Sequence, residues 1–180
     1  MKVQPLSGGL LALIVIVAVA LLSGCAKQGS VTDSPAIIGP YTNFSGRLIV
    51  MEPTRRWQVI MQWHADKPDR GNVRLSHAAT GTVVEFRWAG RQMQVRDSNA
   101  WLWKEINAEQ LGSHGIVIPP QQLAAILLGN IPSHFTEKKT DLWESINNDH
   151  AIRLQWFADA RKLVMTDIKH GRQAILIITP

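Results

Sequence analysis

Histidine and aspartate side chains at two places have the types and spacing of possible metal ligands. His64 and Asp66 stand two positions apart, and His114 and His134 flank an apolar segment across which they would have to meet in space. Solvated polar residues at strand ends and in loops are the more common explanation of such pairs. The chain has no GxSxG elbow, HExxH motif, P-loop or dinucleotide-binding motif. The sequence therefore predicts no enzyme, no metal and no cofactor.

The single cysteine offers a different chemistry. Cys25 follows Leu22-Ser23-Gly24 at the end of the apolar run Leu10–Leu22, which Lys2 precedes. A basic start, a short apolar run and small residues at its end are typical of a secretory signal, and this run is too short to span a bilayer as a helix. The last four residues resemble the bacterial lipobox, in which the signal is cleaved before the cysteine and its thiol is diacylated. Residues 1–24 are thus predicted as a signal peptide and Cys25 as a lipidated N-terminus, a buried or free thiol being the alternative.

The predicted location is the periplasmic face of the outer membrane. Ala26 follows the cysteine, whereas an aspartate there retains lipoproteins in the inner membrane of enterobacteria. Two or three acyl chains would anchor the protein durably. Removal of Lys2 with the signal would leave most of the net charge of +5, which favours mild attraction to anionic head groups. Nucleic acid does not fit this compartment and is not predicted as a partner.

Period-two alternation of apolar and polar residues dominates from Tyr41 onward and predicts antiparallel strands. The clearest strand runs from Trp57 to His64. Residues 25–40 lack any period and contain two prolines, so they are predicted as a flexible tether, and residues 41–180 as one monomeric domain. Further strands are predicted at Phe44–Met51, Asn72–Ser76, Val84–Trp88, Arg91–Arg96, Leu142–Ile146, Ile152–Trp156, Lys162–Ile168 and Gln173–Thr179.

One stretch breaks the strand pattern. Pro119–Gly129 has proline at its start and glycine at its end, which predicts a short helix, and Ile106–Leu111 is a weaker helical candidate. Leu123, Ile126 and Leu127 fall on one helical face. The predicted fold class is mainly β with short helices (α+β), a strongly curved antiparallel sheet that forms an incomplete barrel with a helical plug or lid.

Large aromatic residues fall mostly on the inward positions of these strands. They would fill a core, which is their usual role, or line an apolar cavity, as in lipid-binding barrels. The sequence leaves both open. The residues are Trp57, Trp63, Phe86, Trp88, Trp101, Trp103, Trp143 and Trp156.

Several segments carry a resemblance to a known family. Ile118–Leu123 is followed by Leu127-Leu128-Gly129 and Pro132, and Phe44–Leu48 opens the first strand with a Gly-Arg-Leu pattern. Along the chain these segments follow the order of the family and stand behind a lipobox, so together they resemble the LolB family of outer-membrane lipoprotein receptors and, more distantly, the LolA carriers. The resemblance implies a LolA/LolB-like half-barrel that accepts the acyl chains of other lipoproteins from a periplasmic LolA-like carrier and helps to place them in the outer membrane.

The candidate cavity residues are Trp57, Met61, Trp63, Phe86, Trp88 and Trp156, with Leu123, Ile126 and Leu127 as the lid. The family has an exposed leucine after its third strand for membrane insertion. Here Ala79 or Thr80 stands at that place, so weaker insertion is expected, because a methyl group or hydroxyl buries less apolar area. The alternatives are a protein of the same fold that binds another lipid or a protein partner, and a structural envelope lipoprotein with a filled core.

Overall fold

The computed structural model describes residues 38–179, apart from 108–109, 112–115 and 147–150. The predicted signal peptide, Cys25, His114 and most of the predicted tether lie outside the described residues. Residues 35–180 form one compact unit, and the hydrophobic core of the described residues lies within it. A unit with its own core is the part of the chain that we expect to fold independently. No helix among the described residues is both long enough and apolar enough to cross a membrane.

Eleven antiparallel strands form one curved, open sheet in the order β6-β5-β4-β3-β2-β1-β11-β10-β9-β8-β7. The first and last of the described strands, β1 and β11, pair in the middle of the sheet, and β6 and β7 are its edges. This architecture confirms the predicted fold class. The strands are β1 Asn43–Met51, β2 Arg56–Lys67, β3 Arg70–Ser76, β4 Val83–Ala89, β5 Gln92–Asp97, β6 Lys104–Glu105, β7 Thr136–Lys139, β8 Leu142–Ile146, β9 Ala151–Phe157, β10 Lys162–Asp167 and β11 Arg172–Ile178.

The period-two pattern decides which side chains face the concave side of the sheet. Along β2, Val59, Met61 and Trp63 are buried, and the residues between them are exposed. The strand register aligns such inward residues into rows, because directly opposed residues of antiparallel strands point to the same face. One row joins Trp63, Val73, Phe86 and Val95 across four neighbouring strands. The core therefore lies on one face of the sheet.

Two strands were not predicted from the sequence. β6 has only two residues, Lys104 and Glu105, and all four residues of β7, Thr136–Lys139, are exposed. Neither segment alternates between apolar and polar residues, so neither has the signal that marks the other strands. Short, charged strands at both edges are a common way to prevent pairing with other chains.

The helix α1, Pro120–Leu127, packs against β2 and β3 and buries Leu123, Ile126 and Leu127. Proline at the first helical position fits there because that N–H has no partner within the helix. The chain crosses the end of α1 before β1, where the Tyr41 N–H donates to the Leu127 carbonyl at 2.7 Å. Ile38, which composition assigns to the tether, is fully buried in the core. The helix thus closes part of the concave side.

Candidate functional site

An open cavity of about 500 Å³ lies on the concave side of the sheet. Small-molecule sites typically have volumes of about 300–1,000 Å³. The cavity lies at the end of the sheet where β3 turns into β4. Its lining consists of Trp57, Val59, Leu75, His77, Thr82, Val84, Phe86, Val95, Arg96, Asp97, Ala100, Lys104 and Ile116.

The floor of the cavity is apolar because two inward rows of the sheet meet there. Leu75 of β3 stands opposite Val84 of β4, and Phe86 of β4 stands opposite Val95 of β5. Trp57 extends the floor along β2. Most of these side chains are of medium size, so they cover the sheet without filling the space above it. The floor can therefore accept a hydrocarbon chain.

The rim of the cavity is polar and carries charges. His77 and Thr82 lie on the turn between β3 and β4, and Arg96, Asp97 and Lys104 lie around the connection between β5 and β6. Arg96 is also paired with Glu85, and Asp97 brings a negative charge to the same rim. A cavity with an apolar floor and a polar rim suits an amphiphile with a polar head group.

Two of the nine predicted cavity residues, Trp57 and Phe86, line this cavity. Trp63 packs against Trp88 with their ring centroids 5.3 Å apart. For all nine predicted residues, contact with an acyl chain stays a prediction. The seven that do not line the cavity are buried in the core: Met61, Trp63, Trp88, Trp156, Leu123, Ile126 and Leu127.

Sequence reasoning missed most of the lining. Leu75, Val84 and Val95 occupy inward positions of predicted strands, so the alternation signal was present. Alternation shows which side chains point inward, but it does not show which of them have open space above them, and both aromatic and aliphatic residues line the cavity. Trp88, by contrast, lies closely packed against Gly71 of the neighbouring strand: a Cβ on Gly71 would lie only 2.4 Å from the Trp88 ring. No space for a ligand remains there.

Ala79 and Thr80, the predicted insertion loop, lie in an ordered turn. The His77 carbonyl accepts from the Gly81 N–H at 2.9 Å. The Thr80 hydroxyl lies 3.1 Å from Nδ1 of His77 and donates to the Thr82 hydroxyl at 2.9 Å. Thr80 is therefore tied into the turn, and Ala79 is exposed with a single methyl group.

Two tryptophans differ from the inward placement expected for the aromatic residues. Trp101 is 95% exposed. The guanidinium carbons of Arg87 and Arg96 lie 4.2 Å and 4.7 Å from the centre of the Trp103 ring, which places that ring on the outer side of the sheet. Both tryptophans belong to the loop between β5 and the two-residue β6, so strand alternation does not apply to them.

The possible metal ligands are dispersed among the described residues. His64 Nε2 lies 3.6 Å from an Asp66 carboxylate oxygen, and these side chains are 50% and 72% exposed. His134 contacts the side-chain amide of Gln122. No group of three or more His, Cys, Asp or Glu side chains within the described ranges is arranged to hold a metal ion.

Fold and cavity together define an open antiparallel half-barrel with a helix packed into its concave side and an amphipathic cavity at one end of its strands. No protein-family model matches the chain, and neither does any curated protein sequence. Among solved structures, the chain is similar to the crystal structure of a LolA superfamily protein from Nitrosomonas europaea. The sequence identity is 11% and the TM-score is 0.45, with 80% of this chain and 87% of that chain covered. One fold hosts many functions, so a function has to be argued from the site and not from the fold.

Proposed function

We propose that this protein is a lipid-anchored outer-membrane protein of LolB type that holds the acyl chains of other lipoproteins in its cavity and helps to place them in the membrane. The observation that supports this function is the cavity of about 500 Å³ with an apolar floor and a charged rim. Each buried CH₂ group of an acyl chain contributes about 0.8 kcal/mol. The ordered resemblance of the sequence to the LolB family points to the same ligand.

The proposed mechanism is transfer by relative affinity. A LolA-like carrier presents the cargo, and its acyl chains move from one apolar environment to another with no bond formed or broken. Trp57, Val84 and Phe86 cover the hydrocarbon, while Arg96 and Lys104 lie at the rim, where the polar end of the cargo would remain. Side chains that bind and release in this way need no nucleotide, metal or catalytic residue.

Filling the cavity tests this function. In the Pro35–Pro180 unit, Val84→Trp places an indole over the apolar floor, and Val83→Trp places it on the opposite face of the same strand. We expect Val84→Trp to weaken the binding of a fluorescent fatty-acid analogue at least about tenfold, which corresponds to about 1.4 kcal/mol. Binding by Val83→Trp should stay within about twofold of wild type.

The binding is measured by fluorescence titration, and circular dichroism checks that both variants fold. Equal binding by both variants, or no binding of fatty-acid and phospholipid probes by the wild type, would contradict the proposal and favour a structural envelope protein.

The proposed anchor is the acylated Cys25, and the proposed location is the periplasmic face of the outer membrane. Cys25→Ala removes the thiol to which diacylglycerol would be attached, so the signal should stay uncleaved and the protein should leave the outer-membrane fraction. Membrane fractionation and intact-mass measurement follow both effects. Cys25→Ala protein that still fractionates with the outer membrane at its mature mass would refute the lipid anchor.

A further inference from the structure

Two large apolar side chains stand almost completely in solvent on one loop. Trp101 is 95% exposed and its neighbour Leu102 is 77% exposed. They lie on the loop between β5 and β6, which spans residues 98–103. Trp101 and Leu102 together are called the tip below. Single exposed apolar residues are ordinary on protein surfaces. Two adjacent ones, one of them a tryptophan, make a surface that gains from leaving water.

The loop that carries the tip is held at both ends. The Ser98 N–H donates to the Val83 carbonyl at 2.8 Å, and the Asn99 N–H donates to the Asp97 carboxylate at 2.8 Å. On the other side, the Trp103 ring is covered by the guanidinium groups of Arg87 and Arg96. Because Trp103 is fastened to the sheet, the tip is presented by an ordered loop.

The outer face of the sheet beside the tip carries a net positive charge. Glu85 pairs with Arg96 and also with Arg74, whose nitrogen lies 3.7 Å from its carboxylate. Arg87 donates to the neutral amide of Gln94 at 2.8 Å, so that partner does not compensate its charge. The outward positions of β3, β4 and β5 carry Arg70, Arg74, Arg87 and Arg96 against Glu85, and Glu105 lies on the same face of β6. Arg70 lies at the end of β3 away from the tip. A positive surface of this kind complements anionic lipid head groups.

We infer that the tip and the outward arginines of β3–β5 dock this domain on a bilayer surface that contains anionic phospholipid. A stable protein interface buries about 1,000 Å² or more, which two side chains cannot supply. A bilayer needs no such area, since tryptophan prefers the membrane interface and leucine the hydrocarbon beyond it. This contact goes beyond acyl-chain binding and does not depend on it.

The position of the tip relates docking to the cavity. Ala100 and Lys104, on either side of the tip, both line the cavity. The turn that carries Ala79 borders the same end of the cavity, because His77 and Thr82 are part of the lining. That turn exposes only the small side chains of Ala78, Ala79 and Thr80, whereas the tip offers an indole and an isobutyl group. The tip is thus the stronger membrane contact at this end of the domain.

Vesicle sedimentation of the Pro35–Pro180 unit tests this inference. Wild type is compared with Trp101→Ser/Leu102→Ser and with Ile146→Ser, which removes an apolar side chain that is 70% exposed at another place on the surface. We expect wild type to bind phosphatidylglycerol-containing vesicles more tightly than pure phosphatidylcholine vesicles, with the difference reduced by salt. The double variant should partition at least about tenfold more weakly than wild type, and Ile146→Ser should match wild type.

A second measurement uses the full chain reconstituted in vesicles with brominated phospholipid. Part of the tryptophan emission should be quenched, and Trp101→Phe should reduce that part while keeping the docking, with any remainder assigned to Trp57 in the cavity. Equal partitioning of wild type and the double variant, or equal quenching of wild type and Trp101→Phe, overturns the inference. Self-association that the double variant abolishes, without vesicle binding, would make the tip a contact between two copies instead. Val84→Trp should leave vesicle binding unchanged, so a failure of the cavity proposal is distinguishable from a failure of this one.

Discussion

Replacement of Trp88 by alanine is expected to lower the free energy of unfolding of the Pro35–Pro180 unit by about 3–5 kcal/mol. The Trp88 side chain is 3% exposed and packs against Trp63. Its ring lies over Gly71, and its Nε1–H donates to the Pro68 carbonyl at 3.0 Å. Alanine would leave a cavity beneath the turn between β2 and β3. Urea unfolding followed by circular dichroism measures the loss.

Trp101→Ala is the matched control, since it removes the same atoms from a side chain that is 95% exposed. Its free energy of unfolding should stay within about 0.5 kcal/mol of wild type. The folded Trp88→Ala protein should also bind the fatty-acid analogue as wild type does, because Trp88 does not line the cavity. A loss of affinity without a loss of stability would instead support the sequence-based assignment of Trp88 to the ligand site.

Gly39→Ala should destabilise the unit by at least about 3 kcal/mol, since strain at an unfavourable φ alone costs about 1–3 kcal/mol. Gly39 has φ of 109°, and a Cβ there would lie 2.0 Å from the Leu127 carbonyl oxygen. That oxygen also accepts the Tyr41 N–H, so the collision falls on a backbone contact between α1 and the chain leading into β1. Relief would require the helix end to move.

Gly81→Ala separates the two contributions to this effect. Gly81 also has a positive φ, 68°, but a Cβ there would meet nothing within 4 Å. It should therefore show only the conformational cost of about 1–2 kcal/mol. Thermal unfolding of both variants gives the comparison. Equal destabilisation would mean that the collision of the new Cβ with the Leu127 carbonyl adds nothing to the conformational cost at Gly39.

The strands whose residues alternate were predictable, and the edges of the sheet were not. β4 was predicted as Val84–Trp88 and spans Val83–Ala89, because one face of it meets the core and the other meets solvent. β6 and β7 lack that contrast, since their described residues are exposed. Such strands form because a neighbouring strand offers backbone partners, as β5 does for Lys104 and Glu105. A local sequence pattern cannot reveal a partner supplied from elsewhere in the chain.

The sequence by itself determined the inward face of the half-barrel, and only the tertiary structure decided which part of that face is hollow. Trp57 and Trp63 lie on the same face of β2 by their even spacing, yet Trp57 lines the cavity and Trp63 is buried in the core. The difference arises from what stands above each row, since α1 packs over β2 and β3 and leaves the floor around Val84 open. Alternation is a local property that fixes the direction of a side chain. Whether space remains beyond it depends on segments distant in sequence, which pack closely wherever they reach the sheet.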